Sequence, residues 1–183
     1  MKPVHFFLPF GVRGGDTLPM LIASRYQARM AEPGRDEDIL ARLKIACWQE
    51  SYDQLLPADI LKGMSLERTR ATWRHSLQHG IAWIAEQGGA PVGFGHMRGD
   101  EITMLYVLAS DQGHGLGCEL LLHLFEEIAC FGHRKAHLWV LAENHKARRF
   151  YARMGGTADA RRPVGFANYP DIMEVRYNFD IGG

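Results

Sequence analysis

The sequence predicts a mixed α/β fold with the element order β-αα-βββ-α-β-α-ββ. Three observations predict it. Residues 102–108 form a β-branched and aromatic run, followed by a short polar turn, the glycine-rich run Q-G-H-G-L-G at 112–117, and an apolar-periodic helix. A second strand-like run at 135–141 leads into Asn144, a short helical segment and the Gly155-Gly156 stop. Two further strand-like runs, 81–87 and 91–97, flank Gly88-Gly89 and read as a hairpin.

The elements follow in order. Residues 25–31 read as a first strand and 32–35 as a turn. Asp36, Glu37 and Asp38 suit the positive end of a helix dipole, and Ile39, Leu40, Leu43, Ala46 and Cys47 give that helix an apolar face. Pro57 breaks it, and a second helical region runs to about residue 77. The hairpin and the 102–108 strand come next. In the helix at 116–128, Leu116, Leu120, Leu121, Leu124 and Ile128 share one face, as a helix packed on a sheet requires. The strand at 135–141, the Asn144 helix and a final strand pair at roughly 158–165 and 171–179 close the chain. Residues 25–183 read as one domain. Residues 1–24 read as an extension: a tail, an added strand or a translation-start artefact.

Composition narrows the function. With 183 residues the chain can bury a full core. Lys plus Arg and Asp plus Glu are 21 each, so net charge gives no reason to expect nucleic-acid or membrane binding. Three cysteines (Cys47, Cys118, Cys130) form no C-x-x-C, which suits a reducing cytoplasm and argues against a disulfide framework or zinc site. The apolar stretch at 4–10 is interrupted by Pro9 and lacks a small-residue cleavage site, so no secretory signal is expected. His133 and His137 would stand roughly 13 Å apart on a strand, too far for one metal ion.

Glycines at 113, 115 and 117 leave bare N–H groups at the mouth of a helix, where unpaired amides and the helix dipole favour a phosphate. A Walker loop would end in Gly-Lys-Ser/Thr, but Gly117 is followed by Cys118 and Glu119. A dinucleotide loop would place a third glycine at 118 and an acid near residue 137, and neither is present. Read as Q-x-x-G-x-G, the run resembles the acetyl-CoA pyrophosphate loop of the GNAT superfamily of N-acetyltransferases. The N…A..FY…G pattern of Asn144, Ala147, Phe150, Tyr151 and Gly155 resembles that family's second cofactor segment. The resemblance covers roughly residues 25–179.

This resemblance implies a mixed, mostly antiparallel sheet with helices on both faces, acetyl-CoA as co-substrate, and direct acetyl transfer to a primary amine. It implies a backbone cradle at Gln112, Gly113, His114, Gly115, Leu116, Gly117 and Cys118, with Asn144 as a further cofactor contact. Basic side chains frequent in the family's loop are replaced here by Gly113, His114 and Leu116, leaving more to the amides. Arg148 or Arg149 is either a 3′-phosphate contact or simply solvated. Where the family's strand bulges, at Leu105, Tyr106 and Val107, backbone amides would polarise the thioester carbonyl. Tyr151 matches the family's acid tyrosine; its alternative is a core tyrosine beside Phe150. Glu101 stands eleven residues before Gln112, the spacing of the base in the histone acetyltransferase branch, and is equally an exposed glutamate at a strand start. His96 is a weaker candidate. Trp139 occupies the position of a glutamate used by the protein N-terminal acetylating branch, which argues against that branch.

The acceptor site is expected between the first helices and the last strand pair, with Trp48, Tyr52 and Tyr169 as substrate contacts. Trp48 and Tyr52 share a helix face and either line a pocket or pack. The acceptor is a small-molecule or protein amine, and a homodimer is a family expectation. Two other classes stay open: a non-catalytic acyl-CoA-binding or regulatory protein on the same fold, and a nucleotide-dependent oxidoreductase, disfavoured by the missing ribose acid.

Overall fold

The computed structural model describes residues 26–182. The extension at 1–24 lies outside the described residues. Seven strands form one sheet: β1 (Gln27–Met30), β2 (Ile81–Gln87), β3 (Ala90–Arg98), β4 (Glu101–Val107), β5 (Lys135–Leu141), β6 (Thr157–Pro163) and β7 (Met173–Asp180). Their spatial order is β1-β2-β3-β4-β5-β7-β6, and only the β4/β5 pair is parallel. The helices are α1 (Glu37–Tyr52), α2 (Ala58–Lys62), α3 (Leu66–His79), α4 (Leu116–Cys130) and α5 (His145–Arg153). The helical region after Pro57 is therefore two helices, divided where Gly63 ends α2 and the Ser65 hydroxyl caps α3. A 3₁₀ turn at Ala109–Asp111 follows β4. Among the described residues no helix is long and apolar enough to cross a membrane.

Helices cover both faces of the sheet. The leucine stripe of α4 packs with Met97, Ile102, Leu138 and Val175 on one face. Gly95 permits the close approach: a Cβ there would lie 2.7 Å from Leu124 Cδ1. On the other face Leu40, Ala41 and Leu43 of α1 and Trp73 and Leu77 of α3 pack on Ile84 and Phe94. Burial of these aliphatic and aromatic side chains is the main stabilising term, at about 25 cal/mol per Å² of apolar surface. Asp36 joins the layers. Its fully buried carboxylate accepts two hydrogen bonds from the Arg29 guanidinium of β1, at 2.7 and 3.0 Å, and one from the Glu32 N–H. The Arg29 guanidinium beside it holds the carboxyl below the usual range.

One irregularity positions the site. The β3/β4 register runs Arg98↔Glu101 and Met97↔Ile102, then resumes at His96↔Met104, so Thr103 is an extra residue on β4. It reverses the alternation of faces. Ile102 and Leu105 pack on the α4 side, whereas Met104 and Tyr106 pack toward α1 and α3. The parallel ladder to β5 has only two register pairs, Glu101↔His137 and Ile102↔Leu138. Beyond Ile102 the two strands part. His96 holds the bulge: its Nδ1 lies 2.5 Å from Thr103 Oγ1, and its ring meets Trp73 edge-on with centroids 5.5 Å apart.

His96 is 3% exposed, and burial is the chief cause that lowers its pKa to about 4, with the nearby Arg98 and Lys44 cations acting in the same direction. Because the folded pKa lies below the unfolded value of about 6.5, the unfolded chain binds more protons between these two pH values. Stability from neutral His96 is therefore present above about pH 6.5 and is lost as pH falls toward 4, by at most about 3 kcal/mol. Denaturant titrations across this range should show that slope in the wild type and a shallower one in His96→Gln.

Candidate cofactor and acceptor site

The parted strands enclose a cleft of about 800 Å³ that passes between β4 and β5. Its walls are residues 102–107 of β4 and Leu138, Trp139 and Val140 of β5. The Leu108 N–H donates to Val92 O at 2.9 Å, which fixes the polarity of the antiparallel ladder. By alternation Tyr106 turns its N–H to β3, while Leu105 and Val107 turn theirs toward the parted β5 side. The side-chain amide of Gln112 confirms that direction, since its Nε2 donates to Val107 O at 2.8 Å. Of the three residues expected to polarise a carbonyl, Leu105 and Val107 therefore have the available amides. The bulge itself lies two residues earlier than expected, at Thr103.

The glycine run closes one end of the cleft. Gly113 and Gly115 adopt φ of 84° and 88°, a region that costs other L-residues about 1–2 kcal/mol, and Gly115 is the N-cap of α4. Gly117 needs no such freedom: a Cβ there would make an ordinary contact 3.6 Å from Phe150 Cζ. Gln112, Gly113, Gly115, Gly117 and Cys118 line the cleft. His114 and Leu116 do not, and the side chain of Leu116, 1% exposed, belongs to the core with Leu120. The N-terminus of α5 opens on the same cleft. Asn144 caps it by accepting from Ala147 N–H at 3.0 Å and also lines the wall. Lys146 donates to Gln112 Oε1 across the opening between the two helix ends.

Three phenols meet within the cleft. Tyr151, 8% exposed, is packed by Phe150, Tyr177 and Phe179. Burial, followed by the nearby Tyr52, raises its pKa far above the ordinary value, so the hydroxyl keeps its proton. The Tyr52 and Tyr106 hydroxyls lie 3.2 Å apart. Both pKa values are raised, chiefly by burial. Glu174 adds to the shift of Tyr52, which marks a carboxylate on the same side.

Another part of the cleft wall comes from the end of α1 and the turn after it. Tyr52 and Leu55 belong to it, as do Glu50 and Ser51. Trp48 does not: its ring packs edge-on against Tyr52 at 4.6 Å, so it supports the wall. Tyr169 also stands away from the cleft and donates to Asp59 Oδ1 at 2.8 Å, tying the β6–β7 loop to α2. Glu101 sits at the closed end of the β4/β5 pair, half-buried, outside the lining residues and by alternation on the face of Met104 and Tyr106. Arg148 donates to Ala142 O at 2.9 Å. Sequence reading missed Lys146, Glu174 and Arg162. Glu174 pairs with Arg162 at 2.5 Å, and that guanidinium lies 3.8 Å over the Trp139 ring. The basic first turn of α5 was a readable signal for Lys146. No local pattern marks the other two, which meet only through the β6/β7 register. Among the described residues no His, Cys, Asp and Glu cluster could hold a metal ion.

A cleft opened by parting parallel strands, with two helix N-termini at one end and protonated phenols inside it, defines an acyltransferase architecture. Residues 39–156 match the Acetyltransferase (GNAT) family, and the chain belongs to that family of N-acetyltransferases. It is 30% identical over 166 residues to a protein of Mycobacterium tuberculosis named a probable N-acetyltransferase, covering 81% of this chain and 92% of the relative. It is 26% identical over 160 residues to the mycothiol acetyltransferase of Amycolatopsis mediterranei, covering 80% of this chain but 51% of that longer protein. In fold it resembles a GCN5-related N-acetyltransferase of Rhodopseudomonas palustris (TM-score 0.73, 22% identity, 84% of this chain and 94% of that one). It also resembles the PaiA N-acetyltransferase of Thermoplasma acidophilum in complex with coenzyme A (TM-score 0.70, 14% identity, 84% and 99% covered).

Substitution of Gly115 by Ala should cost about 1–2 kcal/mol through its positive φ and weaken phosphate-ligand binding, whereas Gly117→Ala should keep the melting temperature. Thermal denaturation of both variants, with and without CoA, checks the distinction.

Proposed function

We propose that this protein transfers an acetyl group from acetyl-CoA to a primary amine by direct attack, without a covalent enzyme intermediate. The observation that carries the reading is the cleft itself. It joins the phosphate-binding amides of the glycine loop, the outward N–H groups of Leu105 and Val107, and the Tyr151 phenol in one continuous space. The residues fit an elongated phosphorylated thioester, with the positive-φ glycines admitting backbone approach at one end. Acetyl-CoA, when bound, supplies the activated acyl group.

The chain's own groups would then divide the work. Residues 112–118 hold the phosphates, and Asn144 braces the opposite wall. The Leu105 and Val107 amides orient and polarise the carbonyl in a cleft that limits water. Tyr151 Oη keeps a proton for the departing sulfur, since burial prevents its ionisation at working pH. Glu101 accepts the ammonium proton of the acceptor through water, from the closed end of the strand pair. Tyr52 lines the acceptor passage, Trp48 backs it, and Tyr169 secures the loop beside it. The acceptor is a small-molecule or protein amine, and a cytoplasmic setting suits the unpaired cysteines.

Thermal stabilisation by acetyl-CoA and CoA, with NAD as the contrast, tests the donor, because a ligand of the folded state raises its melting temperature. Acetyl-CoA should stabilise and NAD should not; the reverse would overturn the reading. With an accepted amine, Tyr151→Phe should lower kcat by roughly 100-fold or more while leaving CoA binding and melting temperature near wild type. A Tyr151→Phe enzyme with full kcat would remove the acid role.

A further inference from the structure

We infer that Lys146 supplies the positive charge for the donor's pyrophosphate that the glycine loop lacks, so donor selection is placed on α5 rather than on the loop. This rests on the acetyl-CoA reading of the cleft. The loop offers Gly113, His114 and Leu116 where a cation would be useful, and neither His114 nor the Leu116 side chain faces the cleft. Lys146 does line it, 34 positions away in sequence from the residue it touches.

Its present partner is informative. Gln112 Nε2 donates to Val107 O, so Oε1 is the atom turned to the Lys146 ammonium, an orientation fixed by what each group can give or accept. The ammonium is thereby held over the head of the glycine run by a neutral oxygen. Among the described residues no carboxylate lies within ion-pair distance of it; Glu143, the nearest acid in sequence, is placed with His145. The first turn of α5 contains no acid but does contain this lysine, a cation at the positive end of a helix, where local electrostatics disfavour it. An anion seated between the α4 and α5 N-termini would offset that penalty and replace Gln112 as the lysine's partner. Pyrophosphate fits because Gln112 leads directly into Gly113 and Gly115, whose amides serve the same ligand.

Calorimetric titration of CoA, dephospho-CoA and pantetheine into wild-type, Lys146→Met and Lys146→Arg protein tests this without turnover. Lys146→Met should bind CoA and dephospho-CoA each roughly two- to five-fold more weakly, the size of one exposed charge pair. It should bind pantetheine as wild type does, and its CoA affinity should depend less on salt. Lys146→Arg should retain most of the affinity. Equal weakening for pantetheine would indicate a structural role and overturn the inference, as would unchanged CoA binding. A loss confined to CoA would move the charge to the 3′-phosphate and overturn the pyrophosphate assignment. Wild-type protein that binds no CoA would remove the acetyl-CoA reading itself, whereas wild-type binding with an indifferent Lys146→Met removes only this inference.

Discussion

The parting of β4 from β5 after Ile102 is the constraint on which the rest of the site depends. A parallel pair that stayed bonded along its length would spend the Leu105 and Val107 amides on β5 and leave no passage through the sheet. One extra residue, Thr103, prevents that. It shifts the β3 register, reverses which side chains face α4, and leaves β4 and β5 joined only at Glu101 and Ile102. The insertion is held by a buried histidine rather than by the ladder, since His96 Nδ1 engages the Thr103 hydroxyl.

From that opening the polarity of the site follows. The α4 and α5 N-termini lie at one end, so anions are favoured there by amides that no helix turn consumes. The middle is walled by tyrosines whose burial keeps them neutral. A neutral phenol is a poor base but a steady proton source, which suits the departure of a thiolate better than the activation of an amine. Acidic groups are spread around the cleft: Glu174 on the β7 side, Glu50 at the end of α1 where it accepts from Ala109 N–H at 2.8 Å, Glu101 at the closed end, and Glu143 on the cleft wall beside the α5 N-terminus.

The core and the site share elements. Leu116 anchors the first turn of α4 in the core while the same turn presents its backbone to the cleft. Gly95 lets α4 settle on β3, which fixes the height of the glycine loop above the sheet. Tyr151 likewise belongs to the aromatic cluster of Phe125, Tyr177 and Phe179 and to the cleft wall. Packing therefore restrains the groups that the chemistry needs in one geometry.

Local chemistry was enough to read most of the elements. The hairpin at Gly88-Gly89, the β5 limits, the Asn144 cap and the leucine stripe of α4 all follow from short-range turn, capping and periodicity rules. So did the glycine loop, because positive φ and exposed amides leave a mark on composition. The sequence by itself determined which residues are able to make a positive-φ turn at a helix N-terminus and a buried helix face. The tertiary structure decided which distant groups serve them. Lys146 meets Gln112, Arg162 covers Trp139, and Thr103 rather than Leu105 forms the bulge, because each depends on register between strands or on the docking of one helix beside another. Register is a cooperative property of paired chains, and a single strand's alternation looks the same until its partner shows where a residue has been added.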